Sequence, residues 1–394
     1  MRKIGIVCAV VALLLVVSVP LSVRTYLSSV RVKSGADAMH AGRYKDAEAQ
    51  FARGAELSPH DYLPRYYLGR IKFQTGDFQG AAEVSRAALQ LNPNYVPTHV
   101  VLGGTFLRLG DPVQAREYLN MALKLAPQRA EVLYYMAVCA SELAEWEEAR
   151  DYFEAALQAE WEERAELFSN MGVVYAKLGD MQNAVQRFAS ALEEKPDDPM
   201  INIRAGQFFY SIGKYKKAAA SLAKGVGLFE EKKVDPRSSQ PMQKAYYVLA
   251  KIHLEELGNP YFSSIAVLAL SRAVPQEPAL SELTDDLSAY LARRGFSHKG
   301  DSAALYYVGT AFLLQGRHDR AQESLTMLVE SGESDVNLLQ LAHHNLALSI
   351  FMQGDFERAL RVLDRADAVA PGFSRTDELR EQILARKEAV SGAS

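Results

Sequence analysis

In the stretch 165–198, AELFSNMGVVYAKLGDMQNAVQRFASALEEKPDD, apolar and polar residues alternate with a helical period that breaks once and resumes. That pattern predicts two short amphipathic helices joined by a tight turn. Small residues at Gly172, Ala184 and Ala191 mark where the helices approach closely, and Met171, Tyr175 and Phe188 fill the space between them. Gly179-Asp180 closes the first helix, because glycine enters the left-handed conformation without steric cost. Pro196 ends the second, since it lacks an amide donor and clashes with the preceding turn.

The chain restates this unit. Prolines fall at Pro59, Pro93 and Pro127, 34 residues apart, and again at Pro196. Contact glycines recur at Gly35, Gly69, Gly103, Gly172, Gly206 and Gly309. Turn glycines recur at Gly42, Gly76, Gly110, Gly179, Gly213, Gly316 and Gly354. Alanines for the second helix stand at Ala47, Ala81, Ala115, Ala149, Ala184, Ala218, Ala321 and Ala359. From about residue 28 to residue 371 the chain resembles the tetratricopeptide repeat family, whose unit is a 34-residue helix–turn–helix with this small/large/small pattern. The resemblance implies an all-α, right-handed superhelical solenoid whose concave face is lined by the first helix of each repeat. One hairpin is too small to bury its own apolar face, so each must lean on its neighbours.

A first block of about six repeats is expected over 28–230. In the fourth, about 130–164, Ala137 and Ala144 replace glycines, which a helix should tolerate because alanine is a good helix former. Residues 231–243 mix charge, serine and two prolines and read as a loop or hinge. A second block of about three repeats follows over 244–373, the first of them degenerate, with an extra helix at 279–294. The remainder, 374–394, reads as a charged amphipathic capping helix and tail, the polar end a solenoid needs.

The amino terminus breaks the pattern. Met1-Arg2-Lys3 precedes an uncharged apolar run at 4–23, long enough as a helix to cross a bilayer core. It reads either as a cleaved signal peptide or as a retained transmembrane anchor, residues 1–27. The small-x-small cleavage pattern is missing at Leu21-Ser22-Val23, which favours the anchor. The expectation is a single-pass inner-membrane protein with its repeats on the extracytoplasmic side.

Composition adds exclusions. A net charge of −4 offers no general attraction to nucleic acid. Cys8 lies in the apolar run and Cys139 in a packed helix, so neither suggests a disulfide or a metal site. The eight histidines are scattered, and the pair His343-His344 points about 100° apart on a helix, poor geometry for sharing one metal. No cofactor, metal, small-molecule substrate or catalytic constellation is expected. An enzyme with a cryptic site in 231–300 is the competing reading from another class.

The groove remains. In the family, positions 2, 5, 9, 12 and 13 of each first helix face the concave side. Carried over on that resemblance, they place Tyr66, Arg70, Phe73, Arg108, Tyr134, Lys177, Tyr210, Tyr247, Lys251 and Tyr306 in a partner-binding groove. Tyrosine offers apolar area with a hydroxyl at low entropic cost, which suits a protein or peptide ligand. Family members that clamp a chaperone carboxyl terminus use asparagine at position 9, where this chain has Ala36, Arg70 and Gly104. That departure speaks against such a clamp, while Arg70 and Arg108 could still meet an acidic segment. The expected function is a membrane-anchored scaffold for protein–protein interaction in an envelope assembly, secretion or polysaccharide-export complex. The alternative is a cytoplasm-facing, membrane-tethered regulator of envelope biogenesis.

Overall fold

The computed structural model describes residues 22–294 and 300–391, and these form helices and turns with no strand among them. The chain divides into two compact units, Met1–Ala191 and Leu192–Ser394. In the first, α1 (22–40) pairs with α2 (Tyr44–Leu57). There follow α3 (Tyr62–Thr75) with α4 (Phe78–Leu91), α5 (Val96–Arg108) with α6 (Pro112–Leu125), and α7 (Ala130–Glu142) with α8 (Trp146–Gln158). Next come α9 (Arg164–Lys177) and α10 (Met181–Glu194), the division between units falling inside α10. Each helix packs on its chain neighbour, and the first helices α3, α5, α7 and α9 pack side by side in that order.

What locks three of these hairpins is one glycine against one large side chain sixteen residues later, while in α3–α4 Gly69 faces the small Ser85. A Cβ added to Gly35 would stand 2.6 Å from the Phe51 ring, one on Gly103 2.5 Å from Leu119, and one on Gly172 2.8 Å from Phe188. Phe51, Leu119 and Phe188 are buried, so the backbone of the first helix is the surface they pack on. In the fourth repeat Ala137 and Phe153, both fully buried, hold the same two positions, so the helices there leave room for one methyl.

The turns follow from a glycine–aspartate pair. Gly76 (φ +87°) and Gly110 (φ +77°) end their helices in the left-handed conformation. Asp77 and Asp111 then accept from the Gly80 and Gln114 amides at 3.0 and 2.9 Å, capping α4 and α6. The fourth repeat departs from expectation here. Ala144 does not sit in a helix but takes the left-handed turn itself, at φ +60°. Its Cβ meets the steric penalty glycine avoids, about 1 kcal/mol. Ala144→Gly should therefore raise the unfolding free energy by up to about that amount. A lower urea midpoint in that variant would contradict the assignment.

The second unit contains α11 (Pro199–Ser211), α12 (Tyr215–Glu231), a 3-10 turn at Pro236–Ser238, α13 (Gln240–Lys251) and a π-helical turn at Ile252–Glu256. It continues with α14 (Pro260–Ala273), α15 (Pro278–Arg294), α16 (Asp301–Leu314), α17 (His318–Val329), α18 (Val336–Met352), α19 (Phe356–Val369) and α20 (Ser374–Ser391). The glycine lock reappears at Gly206 with Leu222 and at Gly309 with Leu325, each 2.6 Å from the added Cβ. α15 is the extra helix read from the sequence. α20 lays Leu379 and Ile383 inward and ties Arg380 to Asp364 and Asp367 of α19 at 2.7 and 2.6 Å.

Within the stretch read as a loop or hinge, residues 232–239 are turn and coil but for the 3-10 turn at Pro236–Ser238, which packs on α13 and α14, capped by Asp235 on the Arg237 amide at 2.9 Å. The division of the chain into units lies at Ala191–Leu192. The single-pass inner-membrane location is corrected, because no helix of the described residues is long and apolar enough to cross a membrane. Of the run at 4–23 only residues 22 and 23 are described, at the head of α1, which carries Arg24, Arg31 and Lys33; residues 4–21 lie outside the described part.

Three histidines of the second unit are buried or half-buried, and among the described residues only His344 has a carboxylate, Glu378, acting on it. His253 lies against the Phe262 ring (5.2 Å), His343 bonds the Leu339 carbonyl through Nδ1 at 2.8 Å, and His344 faces Phe373 (6.3 Å). Burial pushes all three below the ordinary value of 6.5. The unfolded chain then binds more protons than the folded one just below pH 6.5. Stability is therefore full above pH 6.5 and declines as pH falls from there through the lower folded values. The expected result is a thermal midpoint that drops between pH 7 and 5.5, less so in His344→Gln; a flat profile over that range would contradict it.

Candidate functional site

The side-by-side packing of α3, α5, α7 and α9 gathers side chains from four consecutive repeats of the first unit. At its centre is Tyr135 on α7. A Cβ on Gly104 would stand 3.0 Å from Cε1 of Tyr135 and 3.4 Å from Cζ of Phe73, so the missing side chain lets both rings lie on α5. Phe73 meets Phe78 edge-on at 5.9 Å, and the Arg108 guanidinium rests 5.1 Å over the Phe78 ring. That cation–aromatic contact braces a long, flexible side chain at the edge of the ring cluster.

Four charged groups act on the Tyr135 hydroxyl. Burial chiefly, then the Glu131 and Glu166 carboxylates, push its pKa up to about 12, while Arg108 and Arg70 pull it back. At neutral pH the group is a neutral phenol able both to donate and to accept a hydrogen bond. Arg70 also stands beside the Tyr66 hydroxyl, whose pKa burial raises and Arg70 restrains. Among the described residues neither Arg70 nor Arg108 lies within ion-pair distance of a carboxylate. Glu131 pairs with Arg129 at 2.8 Å at the edge of the cluster.

The residues read from the sequence separate into groups. Arg70, Phe73 and Arg108 come together around Tyr135. Tyr66 and Tyr134 are packing residues, 8% and 5% exposed. Tyr134 stacks on Trp161 at 4.6 Å and accepts from the Asn170 side-chain amide at 3.0 Å. Lys177 is exposed, 5.8 Å over the Trp146 ring. Tyr210, Tyr247, Lys251 and Tyr306 belong to the second unit, so the ten do not form one described groove. There Tyr210 meets Tyr215 at 5.9 Å, Lys251 pairs with Glu255 at 3.6 Å, and Tyr306 is half-buried beside Tyr307 at 5.7 Å.

Tyr135, Glu131 and Glu166 were missed. The signal was present in the dipeptides Tyr66-Tyr67, Tyr134-Tyr135, Tyr246-Tyr247 and Tyr306-Tyr307. Neighbouring residues point about 100° apart on a helix, so at 134–135 one turns into the packing and the other is half-buried beside Gly104. At 134 the counted position turns into the packing, 5% exposed.

The fold and the face define a helical-repeat scaffold for protein–protein interaction, built from stacked hairpins. Family models described as tetratricopeptide repeat match residues 33–96, 72–132, 106–166, 169–231, 303–331 and 340–365, together more than half of the chain. The chain belongs to the tetratricopeptide repeat family. It is 23% identical over 350 residues to the human protein O-mannosyl-transferase TMTC3, covering 84% of this chain and 34% of that one. It is 26% identical over 152 residues to the type IV pilus assembly protein PilF of Pseudomonas aeruginosa, covering 38% of this chain and 60% of PilF. The chain spans about a third or less of the length of the first curated relatives it matches. A solved structure of the human IFIT1 dimer with PPP-AAAA superposes with a TM-score of 0.55 at 17% identity, over 77% of this chain and 72% of that one, a likeness of fold.

Proposed function

We propose that the chain works by contact, without catalysis, and that the face around Tyr135 is where it captures a protein or peptide partner. The observation that carries this is the convergence of Arg70, Phe73, Arg108, Glu131, Tyr135 and Glu166 from four successive first helices. Tyrosine and arginine held by aromatic packing are the residue types that dominate binding energy at protein interfaces. The partner belongs to a multi-protein assembly of the envelope or secretion kind, a reading supported by the likeness to PilF and otherwise open to test. Arg70→Glu combined with Tyr135→Ala reverses one charge and removes the central ring while leaving the glycine locks intact. Co-purification of a natural partner should fall at least tenfold in this variant at a temperature where circular dichroism shows it still folded, its thermal midpoint lowered by loss of a ring packed on the core. Undiminished co-purification would move the binding surface elsewhere on the molecule.

A further inference from the structure

We infer that the second unit carries a separate docking pocket for an acidic segment of a partner protein, one that sets an apolar side chain among its carboxylates. The pocket, about 410 Å³, lies where the turn between α11 and α12 meets the π-helical turn at Ile252–Glu256. Lys214, Tyr215, Lys216 and Lys217 wall it on one side, Glu256 and Leu257 on the other. It shares no residue with the face around Tyr135, so the two stand or fall separately.

Both walls depart from the repeat. At four other turns an aspartate follows the glycine, and Asp77, Asp111, Asp180 and Asp355 each cap the next helix by accepting from a backbone amide at 2.9 to 3.0 Å. After Gly213 comes Lys214, whose side chain caps nothing. Arg43 and Arg317, after Gly42 and Gly316, are basic too, but they pair with Asp46 and Asp285 at 3.4 and 2.7 Å. Among the described residues Lys214, Lys216 and Lys217 are exposed and have no ion-pair partner. Over Pro199–Phe229 the chain carries Arg204, Lys214, Lys216, Lys217 and Lys224 and no acid, although its net charge is −4. On the opposite wall the Leu257 amide donates back to the Ile252 carbonyl at 2.9 Å, the wider ladder step of a π-turn, and such turns recur at functional sites.

The walls select the ligand. Three ammonium groups on separate flexible stems can each meet a different carboxylate along a chain, whereas no guanidinium fork lines the pocket to grip one phosphate. Lys217 stands 5.9 Å over the Phe209 ring, which steadies its stem. Glu256, the one carboxylate on the walls, is hydrogen-bonded to the Tyr215 hydroxyl, and the balance of charge stays positive. Leu257 and the Tyr215 ring supply carbon, which an aliphatic side chain set between acids would cover.

Fluorescence anisotropy on the full chain tests this with a labelled peptide carrying Glu-Glu-Leu-Glu between Gly-Ser flanks. The peptide should bind, and Lys216→Glu with Lys217→Glu, both at exposed positions, should weaken it about tenfold. Lys232→Glu with Lys233→Glu, an exposed pair outside the pocket, controls for charge alone and should cost less than about twofold. Replacing the leucine of the peptide by serine should cost about fivefold. Absence of binding, equal losses from the two lysine pairs, or indifference to the leucine would each overturn the inference. Inorganic tripolyphosphate that displaces the peptide and binds more tightly would reassign the pocket to phosphate and overturn it as well. So would a dimer of the chain, seen by sedimentation, that Lys216→Glu with Lys217→Glu dissolves, since a second copy would then fill the pocket.

Discussion

Phe188→Ala is expected to lower the unfolding free energy by about 3–5 kcal/mol. Phe188 is 1% exposed and its ring lies on the bare backbone of Gly172, so at that point of α9 there is no side chain to fill the space left behind. The loss combines the transfer free energy of a phenyl group with the cost of a cavity walled by two helices. Because repeats are stable only through their neighbours, the effect should appear as a shift of the whole transition and not as local fraying. Urea denaturation followed by circular dichroism measures it. An unchanged midpoint would mean that the glycine–phenylalanine contact does not hold the hairpin together.

The complementary experiment overfills the same joint. Gly103→Val should destabilise by about 1–3 kcal/mol or more, since its Cβ would stand 2.5 Å from Leu119, a side chain with no exposed surface into which to retreat. Leu119→Ala in the same chain should recover part of that loss, whereas two independent lesions would add. Gly227→Ala is the control: a Cβ there meets nothing within 4 Å, so the helix propensity of alanine should stabilise α12 by up to about 1 kcal/mol. Equal effects at Gly103 and Gly227 would show that backbone entropy and not packing governs both.

These joints were legible because steric exclusion leaves a residue signature. A helix that must be touched on its backbone needs glycine or alanine at one phase, and the filling side chain follows sixteen residues later, as at Gly35 with Phe51 and Gly172 with Phe188. The turns were legible for the same reason, each needing a left-handed residue and then a cap. Ala144 was misread because alanine suits a helix interior, and nothing in its identity reveals that the chain needs a positive φ there. At 231–243 proline and charge mark a loop without telling whether it is packed; the turn at Pro236–Ser238 within it packs on α13 and α14.

The face was only partly legible. Arg70, Phe73 and Arg108 follow from the repeat phase, but choosing between Tyr134 and Tyr135 needs a rotation of one residue, finer than counted positions provide. The carboxylates were invisible for a different reason. Glu131 and Glu166 resemble any solvent-facing acid until the packing of α7 and α9 brings their charges to bear on the half-buried Tyr135 phenol. The apolar run at 4–23, read as a membrane span, lies outside the described residues but for its last two, and no described helix is long and apolar enough to cross a membrane.

Photo-crosslinking in living cells tests the capture site most directly, with benzoylphenylalanine at Val138, one turn along α7 from Tyr135, or at Glu117, exposed on α6. The expected result is a discrete adduct with a protein partner from position 138, abolished by Arg70→Glu with Tyr135→Ala, and none from position 117. An adduct from position 117 alone, or one from position 138 that survives those substitutions, would contradict the proposal that partners are held on this face.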